Sequence, residues 1–186
     1  MTVEQYLKAD RASELRNEYY AGEMRTIRSG TIWHALIAGN LVCGLGGTLK
    51  KTPFLVTSFG PRLFVPKTGI YTYSDVVVCS KPQYLDEHRD MILNPTLLIE
   101  VLSPSTEAYD RGLKFAQYRT LESLQEYALV SQHEARVEIF RRQSSGWLLS
   151  ETTGLEASCH FAGVDCTLSL ADIYDNVSFE DGEPER

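Results

Sequence analysis

The sequence predicts an α/β (α+β) fold: a central mixed β-sheet flanked by helices near the two ends of the chain and followed by a late meander of strands. Three features point to it. The run "LLIEVL" at residues 97–102 is apolar on both faces of a strand, as in a sheet covered on both sides. Trp33, Ile37 and Leu41 recur at helical spacing well before it. After it, "EYALVS", "RVEIFRR" and "GWLLSET" read as three further strands.

Taken in order, "MTVEQYLKAD" sets Thr2 and Gln5 in capping-box positions and opens a short helix. "NEYYAGEMRTI" reads as two short strands around Ala21-Gly22. A helix is expected from Ser29, as N-cap, to Leu49, with "GLGG" at Gly44 to Gly47 fraying its end. "FLVTSF", "PRLFV" and "GIYTYSDVVVCS" are three strand candidates, and "VPKTG" turns between the second and third. "KPQYLDEHRDMILNP" reads as a loop with one helical turn. A strand from Thr96 to Leu102, a helix from about Thr106 to Arg119, the three late strands and a final short helix in "SLADIYDNV" complete the chain.

The 186 residues suit one domain over 1–178 with an acidic tail at 179–186. A hydrophobic fraction of 43% and a charged fraction of 23% exclude a disordered or fibrous chain. The net charge is −7, of which the last eight residues hold −3, so no broad basic footprint announces nucleic acid. No leader-like apolar segment and no membrane-length apolar run is present, which predicts a cytoplasmic location and no membrane partner. Cys43, Cys79, Cys159 and Cys166 form no C-x-x-C pair, and "CHFAGVDC" is too sparse for zinc, so all four read as free thiols, mostly buried. Without a leader, the "NVS" sequon at Asn176 carries no meaning.

Four features carry potential chemistry. Asp75 in "YTYSDVVVC" stands at the mouth of a strand, a rigid place that suits a metal ligand and equally suits a turn. Glu100 lies among apolar neighbours, where an ionised carboxylate is costly unless it binds a cation or an arginine. Lys114 shares an arc of about 120° with Phe115, Tyr118 and Leu121, so it faces the core and points back at the carboxylates or snorkels from its edge. Asp110 and Tyr118 lie one turn either side of it. His34 shares a helix face with Ile37, Ala38 and Leu41, a pattern that also fits a satisfied core histidine. Glu18 and Glu23 read as a solvated hairpin or one extra ligand.

The chain has no P-loop, no strand-borne G-x-G-x-x-G, no H-E-x-x-H and no G-x-S-x-G, and "SPST" has no histidine near it in sequence. What converges is an acidic residue before one strand, a glutamate on another, and an inward lysine on the next helix. Two carboxylates at neighbouring strand ends suit Mg²⁺ or Mn²⁺, and a lysine beside them can act on a water or a phosphate.

"YSDVVVC", "LLIEVLSPSTEAYDRGLKFAQYRTLESLQEYALVSQ" and "RVEIFRR", with "SELRNEYYAGE" and "HALIAGNL" ahead of them, resemble the Uma-type endonuclease family of the PD-(D/E)XK, restriction-endonuclease-like superfamily. The resemblance runs from about Thr2 to Val177. It implies a restriction-endonuclease-like mixed sheet, a Mg²⁺-dependent (or Mn²⁺-dependent) nuclease site, DNA as substrate and, from the superfamily's habits, a homodimer. Asp75 matches the first acidic position, after Ser74 where the superfamily name puts Pro, and Glu100 matches the acidic residue of the half-motif. Leu102 stands where the motif lysine belongs, and Lys114 matches the lysine of this family's next helix as a migrated replacement. The carbonyl of Val101 completes the implied metal shell, while His34 and Glu18 match recurring positions without an assigned role.

Two readings stand. In the first, Asp75 and Glu100 bind metal and Lys114 supports the attacking water, while a dimer gathers Lys50, Lys51, Arg62 and Lys67 into a basic groove. In the second, the chain is a catalytically inactive interaction protein in which Glu100 and Lys114 form a buried structural pair. A serine hydrolase is a distant third.

Overall fold

In the computed structural model, which describes residues 1–27, 30–58 and 61–179, the chain passes between two mixed β-sheets through Tyr73–Asp75. The first helix, α1 (Val3–Ala12), starts in the expected capping box: Gln5 N donates to Thr2 Oγ1, and Thr2 N donates to the Gln5 side chain. Strands β1 (Asn17–Tyr20) and β2 (Glu23–Thr26) form the expected hairpin, with Ala21 and Gly22 both at positive φ.

Helix α2 (Ile32–Thr48) is capped by Thr31, whose hydroxyl accepts from His34 N at 3.1 Å; Ser29, the expected cap, lies outside the described residues. The helix does not fray at its glycines but runs through them to Thr48. Packing overrides propensity there: Ile37, Ala38, Leu41 and Leu45 are buried, and a Cβ on Gly44 would lie 3.0 Å from Leu168. The glycine admits the strand that carries Leu168.

Strands β3 (Phe54–Ser58), β4 (Arg62–Val65), β5 (Ile70–Thr72) and β6 (Val76–Ser80) follow. The single strand expected over "GIYTYSDVVVCS" is thus two strands in different sheets. The Ser74 hydroxyl donates to the carbonyls of Ile99 and Val76, and this side-chain bonding replaces regular ladder bonding at the step between them. The expected helical turn in the following loop is absent; the loop holds instead the two-residue strand β7 (Met91–Ile92), parallel to β4. Next come β8 (Leu97–Val101), a helical stretch of α3 (Glu107–Tyr109), a π-helical turn (Asp110–Lys114) and α4 (Phe115–Tyr118), then β9 (Glu126–Val130), β10 (Arg136–Gln143) and β11 (Gly146–Thr153). "CHFAGVDC" is a hairpin of β12 (Ser158–Phe161) and β13 (Cys166–Ser169), with Cys159 and Cys166 buried and unpaired; α5 (Leu170–Ile173) follows. Phe179 packs on Tyr174, and residues 180–186 of the acidic tail lie outside the described residues.

The larger sheet has the order β11-β10-β9-β8-β6-β3, with β8 and β9 parallel and its other pairs antiparallel; the smaller has the order β2-β1-β5-β4-β7. The alternation of β8 divides the core. Leu97, Ile99 and Val101 pack with α2 and α5, while Leu98 and Leu102 pack with Tyr118, Leu121 and the β4 residue Leu63. Glu100 belongs by the same alternation to the second face. No helix among the described residues is long and apolar enough to cross a membrane.

Candidate active site

Glu100 and Asp75 come together because their strands pair. Val76 lies opposite Ile99, so the register carried one residue further sets Asp75 opposite Glu100. Asp75 is fixed at the step between the sheets: its Oδ2 accepts from Val101 N at 2.8 Å and lies 3.0 Å from His34 Nε2. His34 reaches it from the first turn of α2. Gly30 makes that possible, since a Cβ there would lie 2.6 Å from His34 Cγ. His34 is therefore not a histidine satisfied within an apolar face; it is tied to the expected acidic residue.

Leu102, two residues beyond Glu100, shares its face and is buried in the apolar cluster around Tyr118. The ammonium comes from the helical stretch packed on that face instead. Lys114 Nζ lies 3.0 Å from Glu100 Oε1, 3.5 Å from Asp110 Oδ1 and 3.9 Å from Glu18 Oε1. The inward arc expected around Lys114 is present, with Tyr118 and Leu121 buried and Phe115 packed against the same cluster. Tyr118 OH donates to Glu100 Oε1 at 3.1 Å and to the Tyr73 carbonyl at 3.3 Å. Glu18 is not solvated: Thr72 Oγ1 donates to its Oε1 and Tyr109 OH to its Oε2. Glu23 is exposed beside Arg25.

Three carboxylates, Glu18, Glu100 and Asp110, thus share one lysine, and Asp75 stands beside Glu100 with His34 as its own partner. Burial pushes the Glu100 carboxyl well up; Lys114 opposes this and the charges of Asp75 and Asp110 add to it. Burial likewise raises Asp110, again against Lys114 and with Asp75 adding. Desolvation works to lower Lys114, but Glu100, Asp110 and Glu18 together outweigh it and hold the ammonium well above the ordinary lysine value. Held as an ammonium, Lys114 is a hydrogen-bond donor and a positive charge.

The donor set suits a hard divalent cation, being oxygen-rich and anionic around a buried strand end. The neighbours just named engage one oxygen of each of Asp75 and Glu100. Among the described residues no three His, Cys, Asp or Glu side chains form a closed cage. Such an open pair is the usual arrangement for Mg²⁺, which keeps waters and substrate phosphates in its shell.

Asp110, Gly30, Thr72 and Tyr109 belong to this site without having been assigned roles from the sequence. Asp110 carried a signal, one turn before Lys114; Gly30 carried none that can be read without the His34 ring. Of the basic residues expected to form a groove, Arg62 is excluded. Its side chain is buried against Asp10, Asp90 and Tyr73.

The model of the Uma2 family, described as "Putative restriction endonuclease", matches residues 3–170. The uncharacterized protein sll1609 of Synechocystis sp. is 30% identical over 164 residues, covering 87% of this chain and 93% of its own. A second, slr1290, of the same organism is 31% identical over 150 residues, covering 80% and 78%. The crystal structure of a "putative nuclease belonging to DUF820" from Anabaena variabilis superposes with a TM-score of 0.74 at 18% identity, over 94% of this chain and 97% of that one, and so shares the fold. With a family model spanning residues 3–170, nearly the whole described chain, this protein belongs to the Uma2 family of restriction-endonuclease-like proteins.

Proposed function

We propose that the chain is a metal-dependent nuclease hydrolysing phosphodiester bonds in DNA. The observation that carries this reading is the meeting of Asp75 and Glu100 across a strand pair with Lys114 on Glu100. Asp75, Glu100 and the Val101 carbonyl would hold Mg²⁺ or Mn²⁺. A cation there supplies charge to draw in a phosphodiester and lowers the pKa of a bound water.

The chain's own groups do the rest. His34 and Val101 N fix one oxygen of Asp75, leaving its carboxylate little rotational freedom. Tyr118 does the same for Glu100. Lys114, held as an ammonium, stabilises negative charge developing on the phosphate or orients the attacking water by donating to it. An uncompensated cluster of carboxylates repels a polyanion, so substrate should bind only with the cation present.

The contact of Lys114 with Glu100 also favours a second reading, a structural pair in an inactive nuclease fold. Cleavage of plasmid and linear DNA by purified protein, in Mg²⁺ or Mn²⁺ and in chelator, separates them. Wild type should cut only with metal, and Asp75→Asn and Glu100→Gln should each slow cutting by about a hundredfold or more. Metal-independent cutting, or full activity in both variants, rules out the nuclease reading as stated.

A further inference from the structure

We propose that Asp110 is a positioning residue that takes over the Lys114 ammonium when a cation binds Glu100, an inference that rests on the nuclease reading above. One ammonium cannot serve Glu100 at full strength while Glu100 also ligates a metal. Lys114 is 7% exposed, so when a cation on the free oxygen weakens the hold of Glu100, the buried ammonium needs another anion. Asp110 stands ready at 3.5 Å, itself 3% exposed and one turn away on the same stretch of helix. The transfer therefore needs only a rotation about the lysine's own bonds.

The backbone favours Asp110 over Glu18 for this role. Glu18 already accepts from Thr72 and Tyr109 and lies farther from the ammonium, at 3.9 Å. Asp110 and Lys114 open and close the π-helical turn, a widened turn that α-helical sequence preferences do not require. That turn is held from the neighbouring sheet. Tyr127 OH, buried on β9, donates to the Asp110 carbonyl at 3.1 Å. Asp110 is buried and only partly compensated, because the ammonium lies nearer to Glu100, at 3.0 Å. The cost of holding Asp110 beside a shared lysine is thus relieved when the lysine moves to it.

Thermal melts of the full chain titrated with Mn²⁺ test this. The variants are Asp110→Asn, Lys114→Met and the double substitution, with Asp110→Ser in place of Asp110→Asn should that fail to fold, and Asp110→Glu as the conservative control. In Asp110→Asn the lysine has lost its second anchor and stays on Glu100, so the Mn²⁺ midpoint should rise by about tenfold. Lys114→Met removes the competitor and should lower the midpoint. The double variant should match Lys114→Met within about twofold, because Asp110 acts through the lysine. Asp110→Glu should stay close to wild type. A merely structural Asp110 would lower the melting temperature without metal and leave the midpoint in place. An unchanged midpoint in Asp110→Asn, or an equal rise in the Lys114→Met background, overturns the inference while the nuclease reading survives. A wild type with no Mn²⁺ response overturns both.

Discussion

Glu100 and Glu126 are buried glutamates on neighbouring parallel strands of one sheet, and the chain holds them by opposite means. Glu126 has a complement of its own. It accepts from Arg141 Nε at 2.7 Å, from Ala162 N at 3.1 Å and from Gly163 N at 2.9 Å, which covers both its oxygens. Glu100 has Tyr118 and a lysine that two other carboxylates also claim. The first arrangement fixes a hairpin to a sheet. The second leaves negative charge over, as does a site that waits for a cation. Burial of a carboxylate in a strand is therefore not itself a sign of function; the sign is burial without a full set of donors.

The largest effect that sharpens this contrast is expected at Lys114. Lys114→Met leaves Glu100 and Asp110 buried with no cation, which costs about 3–5 kcal/mol when both must stay ionised. The sign follows from the shifts. Both carboxyls have native pKa values raised above their unfolded ones, so their contribution to stability is full below the unfolded values and is lost as pH rises through the native ones. Removing the lysine, which lowers both, raises them further. Lys114's own raised pKa leaves its contribution intact until alkaline pH. In chelator, the melting temperature of Lys114→Met should thus fall furthest below wild type at pH 8 and approach it at pH 5. A deficit independent of pH would mean that the lysine acts through packing.

Glu126→Gln comes next. The amide turns an NH₂ toward backbone N–H groups and loses the charged contact with Arg141, which is partly exposed, so about 2–3 kcal/mol is expected. For a chain of this size that is roughly 5–10 °C in melting temperature. Tyr118→Phe should cost least, about 1 kcal/mol, because Glu100 keeps Lys114 and only a neutral donor is lost. A larger loss there would make Glu100 more like Glu126 than the geometry implies.

Much of the site was legible in the sequence because its signals are local. An ionisable residue in an apolar strand, and a lysine on the apolar arc of the next helix, are read from a few adjacent positions. What escaped depends on distant partners. "EYALVS" shows that Glu126 enters a strand, but its donors arrive from residues 141, 162 and 163. Gly30 matters only once the His34 ring is folded against Asp75, and the step at Tyr73–Asp75 depends on a serine bonding to another strand. The short strands β7, β12 and β13 are fixed by pairing rather than by their own patterns. The fold class, by contrast, rests on long apolar runs, and those were visible throughout.

The most direct measurement is a pair of melts, with and without millimolar Mn²⁺, on wild type, Glu100→Gln and Glu126→Gln. Wild type should be stabilised by the metal through binding to the native state alone. Glu100→Gln should melt close to wild type in chelator and lose the metal response; Glu126→Gln should melt several degrees lower and keep it. If Glu100→Gln instead melts far below wild type and the metal shifts none of the three proteins, Glu100 is a structural glutamate like its neighbour and the proposed metal pair does not exist.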